Sequence, residues 1–222
     1  MKNDHTMSHR FLTTFLCLWI SVSAMAQRTI SDAKITYRMD LPPEMAQTDA
    51  MLQNSSLTVY MRSYLSRVEI NFNIVNYVYL INSRERTMTT LIDQHGTKYL
   101  IRNSKEQFEK DMKQYEGTKF VDQGEKKEIA GYMCKKAQAT MPDGKTYIVY
   151  YTPDLVPENK LYTQRFSNLN GLALQYEIHT KTGSVITVTA TKVELIPVPA
   201  SYFDVPKSGY KEVSQQELKS MN

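Results

Sequence analysis

The chain has 222 residues, enough for one domain with a real core. Its 27 basic and 23 acidic residues leave a net charge of +4 without a basic patch, so nucleic acid is not an expected partner. Fifteen tyrosines and recurrent apolar alternation point to a β-rich fold.

The N-terminus reads as an export signal. Arg10 precedes the apolar run "FLTTFLCLWISV", and "SAMAQ" places Ala24 and Ala26 at the small positions before a cleavage site. The run is shorter than the roughly 20 residues a bilayer requires, and no later segment approaches that length, so no membrane span is expected. Cys17 follows Phe15 and Leu16, which argues against a lipidated cysteine. The expectation is a signal peptide over 1–26 and a single mature domain over 27–222, soluble in the periplasm or otherwise exported. Cleavage would remove Trp19 and Cys17 and leave Cys134 as the only cysteine. One cysteine makes no intramolecular disulfide, so stability has to come from burial.

Strands follow in close succession. The alternation predicts them over 32–40, 56–63, 66–74, 76–82, 86–93, 97–102, 118–128, 132–141, 145–152, 172–178 and 184–196. "SRVEINFNI" sets Val68, Ile70, Phe72 and Ile74 on one face, and "LALQYEI" does the same with Leu172, Leu174, Tyr176 and Ile178. A polar opposite face marks antiparallel strands solvated on one side. Tight turns are expected at "NSR", "DQHGTK", "PDGK" and "KTGS". Helix signals are few. "SKEQFEKDMKQYEG" over 104–117 opens on Ser104, with Gln107 as a capping-box partner, and closes on Gly117. Shorter helices are expected over 42–54, with Pro43 in the first turn, and over 214–221. The fold class is mostly β (α+β), because this many strands do not lie in a flat sheet. They should form a curved antiparallel sheet, an incomplete and unclosed β-barrel with a helix packed on the concave face.

Catalytic signatures are missing from the sequence. There is no HExxH or CxxC spacing, no G-x-S-x-G and no Gly-rich phosphate loop, so no metal, cofactor or catalytic residue is assigned. His95 lies in a turn and His179 on the polar face of its strand. The chain is read as not an enzyme. Cys134 shares a strand face with Tyr132, Lys136, Gln138 and Thr140. Lys135 and Lys136 would lower its pKa modestly from about 8.5 if their ammonium groups came near. A lasting free thiol in an oxidising compartment is safest buried, and a buried structural role is expected.

The stretches "TLIDQHGTKYLI", "KKEIAGYMCKKAQATMPDGKTYIVYYTPDL", "FSNLNGLALQYEI" and "SYFDVPKSGYKEV", in this order, resemble exported Bacteroidota proteins of the GLPGLI type. These are similar to the lipoprotein-carrier (LolA/LolB-like) superfamily. The GLPGLI segment corresponds to "NLNGLA", residues 168–173, matching at Gly171 and the leucines, and the resemblance runs from about Ala33 to Tyr210. The Arg-Pro and aromatic pattern on the carriers' early strands has no closer counterpart than "SRVEI" at 66–70. The resemblance implies an unclosed barrel with helical lids and an apolar cavity.

Two functions compete. The first is a non-enzymatic binding protein holding an acyl chain or another apolar ligand in the half barrel. Val68, Ile70, Phe72, Ile148, Tyr150, Leu174 and Tyr176 are the expected lining, sharing one concave interior. The strand 145–152 is apolar on both faces, with Ile148 and Tyr150 on one and Tyr147, Val149 and Tyr151 on the other. The alternative is a scaffold of the cell envelope that binds a partner protein through a sheet edge or through the loop-like stretch 153–168.

Overall fold

The computed structural model describes residues 27–42, 55–72, 75–180 and 182–221. The signal peptide over 1–26, almost all of the helix expected over 42–54, and Ile74 lie outside the described residues.

Among the described residues there are fourteen strands. The first run is β1 (Arg28–Ile30), β2 (Asp32–Asp40), β3 (Ser56–Arg62), β4 (Leu65–Asn71), β5 (Val75–Asn82), β6 (Thr87–Gln94) and β7 (Thr97–Asn103). Helix α1 (Lys105–Met112) follows, then β8 (Lys119–Ile129), β9 (Tyr132–Thr140), β10 (Thr146–Thr152) and β11 (Leu155–Pro157). The chain ends with β12 (Leu172–His179), β13 (Val185–Glu194), β14 (Lys211–Glu212) and helix α2 (Gln215–Met221). All eleven predicted strands are present within two or three residues of their expected ends. The short β1, β11 and β14 have no counterpart among them, because two or three residues carry no readable alternation.

Twelve strands make one sheet in the order β14-β7-β6-β5-β4-β3-β2-β13-β12-β10-β9-β8. The run β2 to β7 is an antiparallel meander. Helix α1 then carries the chain to the opposite edge, and β8, β9 and β10 return as hairpins. The two halves join where β13 pairs with β2, with Val193 opposite Ile35 and Glu194 opposite Lys34. The strands β8 and β7 stay unpaired with each other, so the sheet curves without closing. The pair β1–β11 forms a separate parallel ribbon whose Ile30 and Leu155 join the main core.

Alternation decides which side chains enter that core. Leu57 faces Ile70, Val59 faces Val68, and Val68 faces Tyr79, so neighbouring strands present one continuous apolar concave face. Ala33, Ile35 and Tyr37 continue it on β2, and Leu172, Leu174 and Val188 are buried on the other half.

Helix α1 lies on the concave side, where Phe108 and Met112 cluster with Ile81 and Met88. Ser104 caps it by accepting from the Gln107 backbone N–H at 3.3 Å. The return leg of the expected capping box is not made, since the Gln107 amide donates to Asp111 at 2.7 Å instead. The helix also stops at Met112, before the predicted Gly117, and a turn leads on to that glycine at φ +84. A full capping box does occur at α2: Ser214 Oγ accepts from Glu217 N, and Glu217 Oε2 accepts from Ser214 N.

The C-terminal segment wraps the β7 edge. Val205 and Tyr210 pack on Leu80, Leu91 and Leu100, residues of the convex face. After β14 pairs with β7, Val213 and Leu218 reach Phe72, Val75, Ile92 and Ile101 on the concave side.

A candidate apolar groove on the concave face

The loop-like stretch after β11 is packed against the sheet. Tyr162, Phe166 and Leu169 are buried in the main cluster, and a single 3-10 turn over Gln164–Phe166 shapes the backbone between them. Tyr162 and Phe166 lie with ring centroids 6.4 Å apart, and Phe166 meets Tyr176 edge-on at 4.9 Å. The Tyr37 hydroxyl donates to Ala173 O at 2.9 Å, and the Ala173 N–H donates to the Tyr162 hydroxyl at 3.4 Å. Burial pushes the Tyr37 phenol well up and the Tyr176 phenol up to about 12, so both stay neutral.

Between this packed stretch and the neighbouring strands runs a groove of about 280 Å³. Leu57, Val68, Ile70, Tyr79, Ile81 and Met88 form its floor. Thr163, Gln164, Arg165 and Phe166 form one wall, Tyr176 and Ile178 continue the floor on β12, and Tyr115 stands after α1. The surface is mostly hydrocarbon and aromatic ring, which suits an apolar occupant.

Three of the seven residues expected to line an interior do so: Val68, Ile70 and Tyr176. Leu174 shares the concave face but is fully buried in the core beside the groove. Phe72 lies at the far end of that face, against Tyr77 and the C-terminal segment. Ile148 and Tyr150 require correction. Val149 is directly opposite Tyr176, whereas Ile148 and Tyr150 stand opposite Gln138 and Lys136, on the other face of the sheet. A strand apolar on both faces offers no alternation to read, and the inward set proves to be Tyr147 and Val149. Tyr150 instead joins a polar convex cluster, with its hydroxyl 2.5 Å from Glu125 Oε1 and the Lys127 ammonium 3.7 Å from its ring centre.

The wall residues 163–166 lie in the loop-like stretch 153–168, read above as a recognition surface for a partner, and Tyr115 in the helix expected over 104–117, but the sequence assigns neither to a groove. Their segment has no period, and only its density of large apolar side chains (Leu161, Tyr162, Phe166) hints at burial. Gly171 gains a definite role. A Cβ there would sit 2.5 Å from Thr152 O and 2.6 Å from the Tyr151 ring, so the backbone before β12 approaches β10 too closely for any side chain. Leu169 and Leu172 of the same motif are buried. The "NLNGLA" segment is thus a packing device.

Cys134 is fully buried and free. Burial raises its thiol to about 12, and Lys127 opposes that rise only in part. The expected lowering by Lys135 and Lys136 is therefore overturned. Asp122 lies 3.9 Å from Lys135, Glu125 lies 2.7 Å from Lys136, and desolvation dominates at the sulfur. His95 sits exposed in its turn at φ +51, and His179 is exposed 3.4 Å from Glu177. Among the described residues no group of His, Cys, Asp and Glu is arranged to hold a metal, and no helix is long and apolar enough to cross a membrane.

No protein-family model matches the chain, and no curated protein matches it. Solved structures do. PNGF-II superposes with a TM-score of 0.53 at 18% identity, over 86% of this chain and 33% of its own. The chain thus spans about a third of PNGF-II, and the likeness concerns the fold. An uncharacterized conserved protein from Thermus thermophilus gives a TM-score of 0.47 at 10% identity, over 83% of this chain and 91% of its own. A LolA superfamily protein from Nitrosomonas europaea is looser, with a TM-score of 0.32 at 9% identity, over 79% of this chain and 90% of its own.

Proposed function

We propose that this chain is an exported, non-enzymatic binding protein that holds an acyl chain or similar apolar ligand in its half barrel. The groove carries this reading. Ile70 and Tyr79 are partly exposed in it and are flanked by the nearly buried Leu57, Val68 and Ile81, so the trough is apolar throughout. An apolar chain laid there gains about 0.8 kcal/mol for each methylene removed from water, which gives useful affinity without a charged contact. Export rests on the leader-like run and on the small residues before Gln27.

A neutral fluorescent probe, N-phenyl-1-naphthylamine, tests the reading directly. Saturable binding at one site, displaced by decanol, is the expected result. If the folded protein gives no fluorescence rise, the ligand reading fails.

One observation favours a second reading, a scaffold that pairs with another protein. The long edge strand β8 has no outer neighbour among the described residues, and Val121 on it and Met133 beside it are 57% and 49% exposed. The opposing consideration is its composition. Lys119, Lys126 and Lys127, with a break in register between Asp122 and Lys126, are the features that keep sheet edges from pairing.

A further inference from the structure

The groove is apolar along its floor but not along its wall. Arg165 stands in that wall with its guanidinium 4.9 Å from the centre of the Tyr147 ring and 5.9 Å from that of Tyr176. Its Nη1 donates to Glu177 O at 2.8 Å, and Arg165 enters none of the ion pairs found among the described residues. The Glu177 carboxylate is engaged elsewhere, accepting from the Ile148 N–H at 2.9 Å and lying 3.4 Å from His179. An arginine has five N–H donors in a planar fork, so most of this fork is open to a ligand. A half-buried arginine with donors to spare and an apolar trough therefore meet along one wall.

Resting on the ligand reading above, we propose that the groove selects a single-chain amphiphile with a monoanionic head, a medium-chain carboxylate. The head pairs with Arg165, and the chain lies over Leu57, Val68 and Ile70. One arginine balances one negative charge, whereas a doubly charged phosphate monoester would leave a charge unpaired beside apolar surface. Size limits the tail. If each methylene takes about the 30 Å³ that a water occupies in the liquid, 280 Å³ holds roughly nine of them.

Decanoate and decanol, titrated at neutral pH against the probe-loaded full chain, separate head from tail. Decanoate should bind about tenfold or more tightly, the range of a charge-assisted hydrogen-bonded contact. Arg165→Gln should bring the two affinities within about twofold of each other, chiefly by weakening decanoate, and Arg165→Lys should keep part of the preference. Equal affinity of the parent protein for both would overturn the head assignment and leave the apolar groove standing. If neither ligand displaces the probe, or no probe binds, the groove reading falls as well. The parent comparison needs no variant, so a poorly folding substitution does not protect the proposal.

Discussion

Leu174 and Ile70 stand on the same concave face, in strands with the same alternation, yet only one is sealed. Leu174 is fully buried in the cluster that holds Tyr162 and Phe166, whereas Ile70 is partly exposed and lines the groove. The difference comes from what lies above them. Tyr162, Phe166 and Leu169 cover the β10–β12 half, and beyond the Thr163–Phe166 wall Ile70 and Tyr79 stay partly exposed in the groove, beside the buried Leu57 and Val68. Alternation settles which face a side chain takes. Whether that face is dry depends on a stretch of chain far away in sequence.

The sharpest way to break this comparison is a charge at each end. Leu174→Asp should cost several kcal/mol, because an unpaired carboxylate would enter a fully buried site, and that is much of a domain's total stability. Loss of the cooperative urea transition is the expected readout. Gly171→Ala probes the same sealed end more gently. Its methyl group would meet the Thr152 carbonyl, which is backbone and does not rotate away, so a loss of about 1–3 kcal/mol in urea unfolding is expected. An unchanged midpoint would mean that β10 and β12 can separate there.

The sealed end should also show at high pH. Cys134 is raised from 9.0 to about 12 and Tyr176 from 10.0 to about 12, both by burial. A raised pKa in an acid means that the fold favours the neutral form. Stability is therefore complete below about pH 9, where the unfolded groups are also neutral, and falls as pH climbs from there towards 12. Cys134→Ser removes the thiol's share and should make the decline shallower, at a cost of about 1–2 kcal/mol near neutrality for burying a hydroxyl. A parent protein whose melting temperature stays level from about pH 8 to about pH 11 would contradict this. The smallest effect on stability belongs to the open end. Ile70→Asp should change it by less than about 1 kcal/mol, since the new carboxylate reaches solvent, yet abolish binding of the naphthylamine probe. Equal destabilisation by Ile70→Asp and Leu174→Asp would show that both ends are dry core.

Much of this architecture can be read from period alone. "SRVEINFNI" and "LALQYEI" announce both their strands and their inward faces, because each has a polar side for contrast. "TYIVYYT" does not, and its inward set slips by one residue: without a polar face, only pairing of Val149 with Tyr176 across the sheet reveals the direction. The covering stretch is harder still. Tyr162 and Phe166 are placed by contacts with β10 and β12 and not by any local repeat, so the wall and its arginine have no signature in the sequence. Gly171 stands out by resemblance, but its reason, a carbonyl 2.5 Å from where a Cβ would lie, is a property of the packed pair of strands.

The joint between β2 and β13 carries a kinetic consequence. It sets Thr36 opposite Lys192 and Lys34 opposite Glu194, residues from opposite ends of the described chain, whereas β3 to β6 pair only with their neighbours in sequence. Closing so large a loop costs entropy before any contact rewards it, and pairings of this kind slow folding. The meander and the β8–β10 hairpins can each form early, as separate twisted ribbons with apolar faces still wet. The half barrel exists only once its last strands reach its first. In pulsed hydrogen exchange during refolding, amides of β4 and β5 should gain protection ahead of those in β13. Until that seam closes, the chain has two apolar ribbons and no groove, and a chaperone in its compartment would meet it in that form.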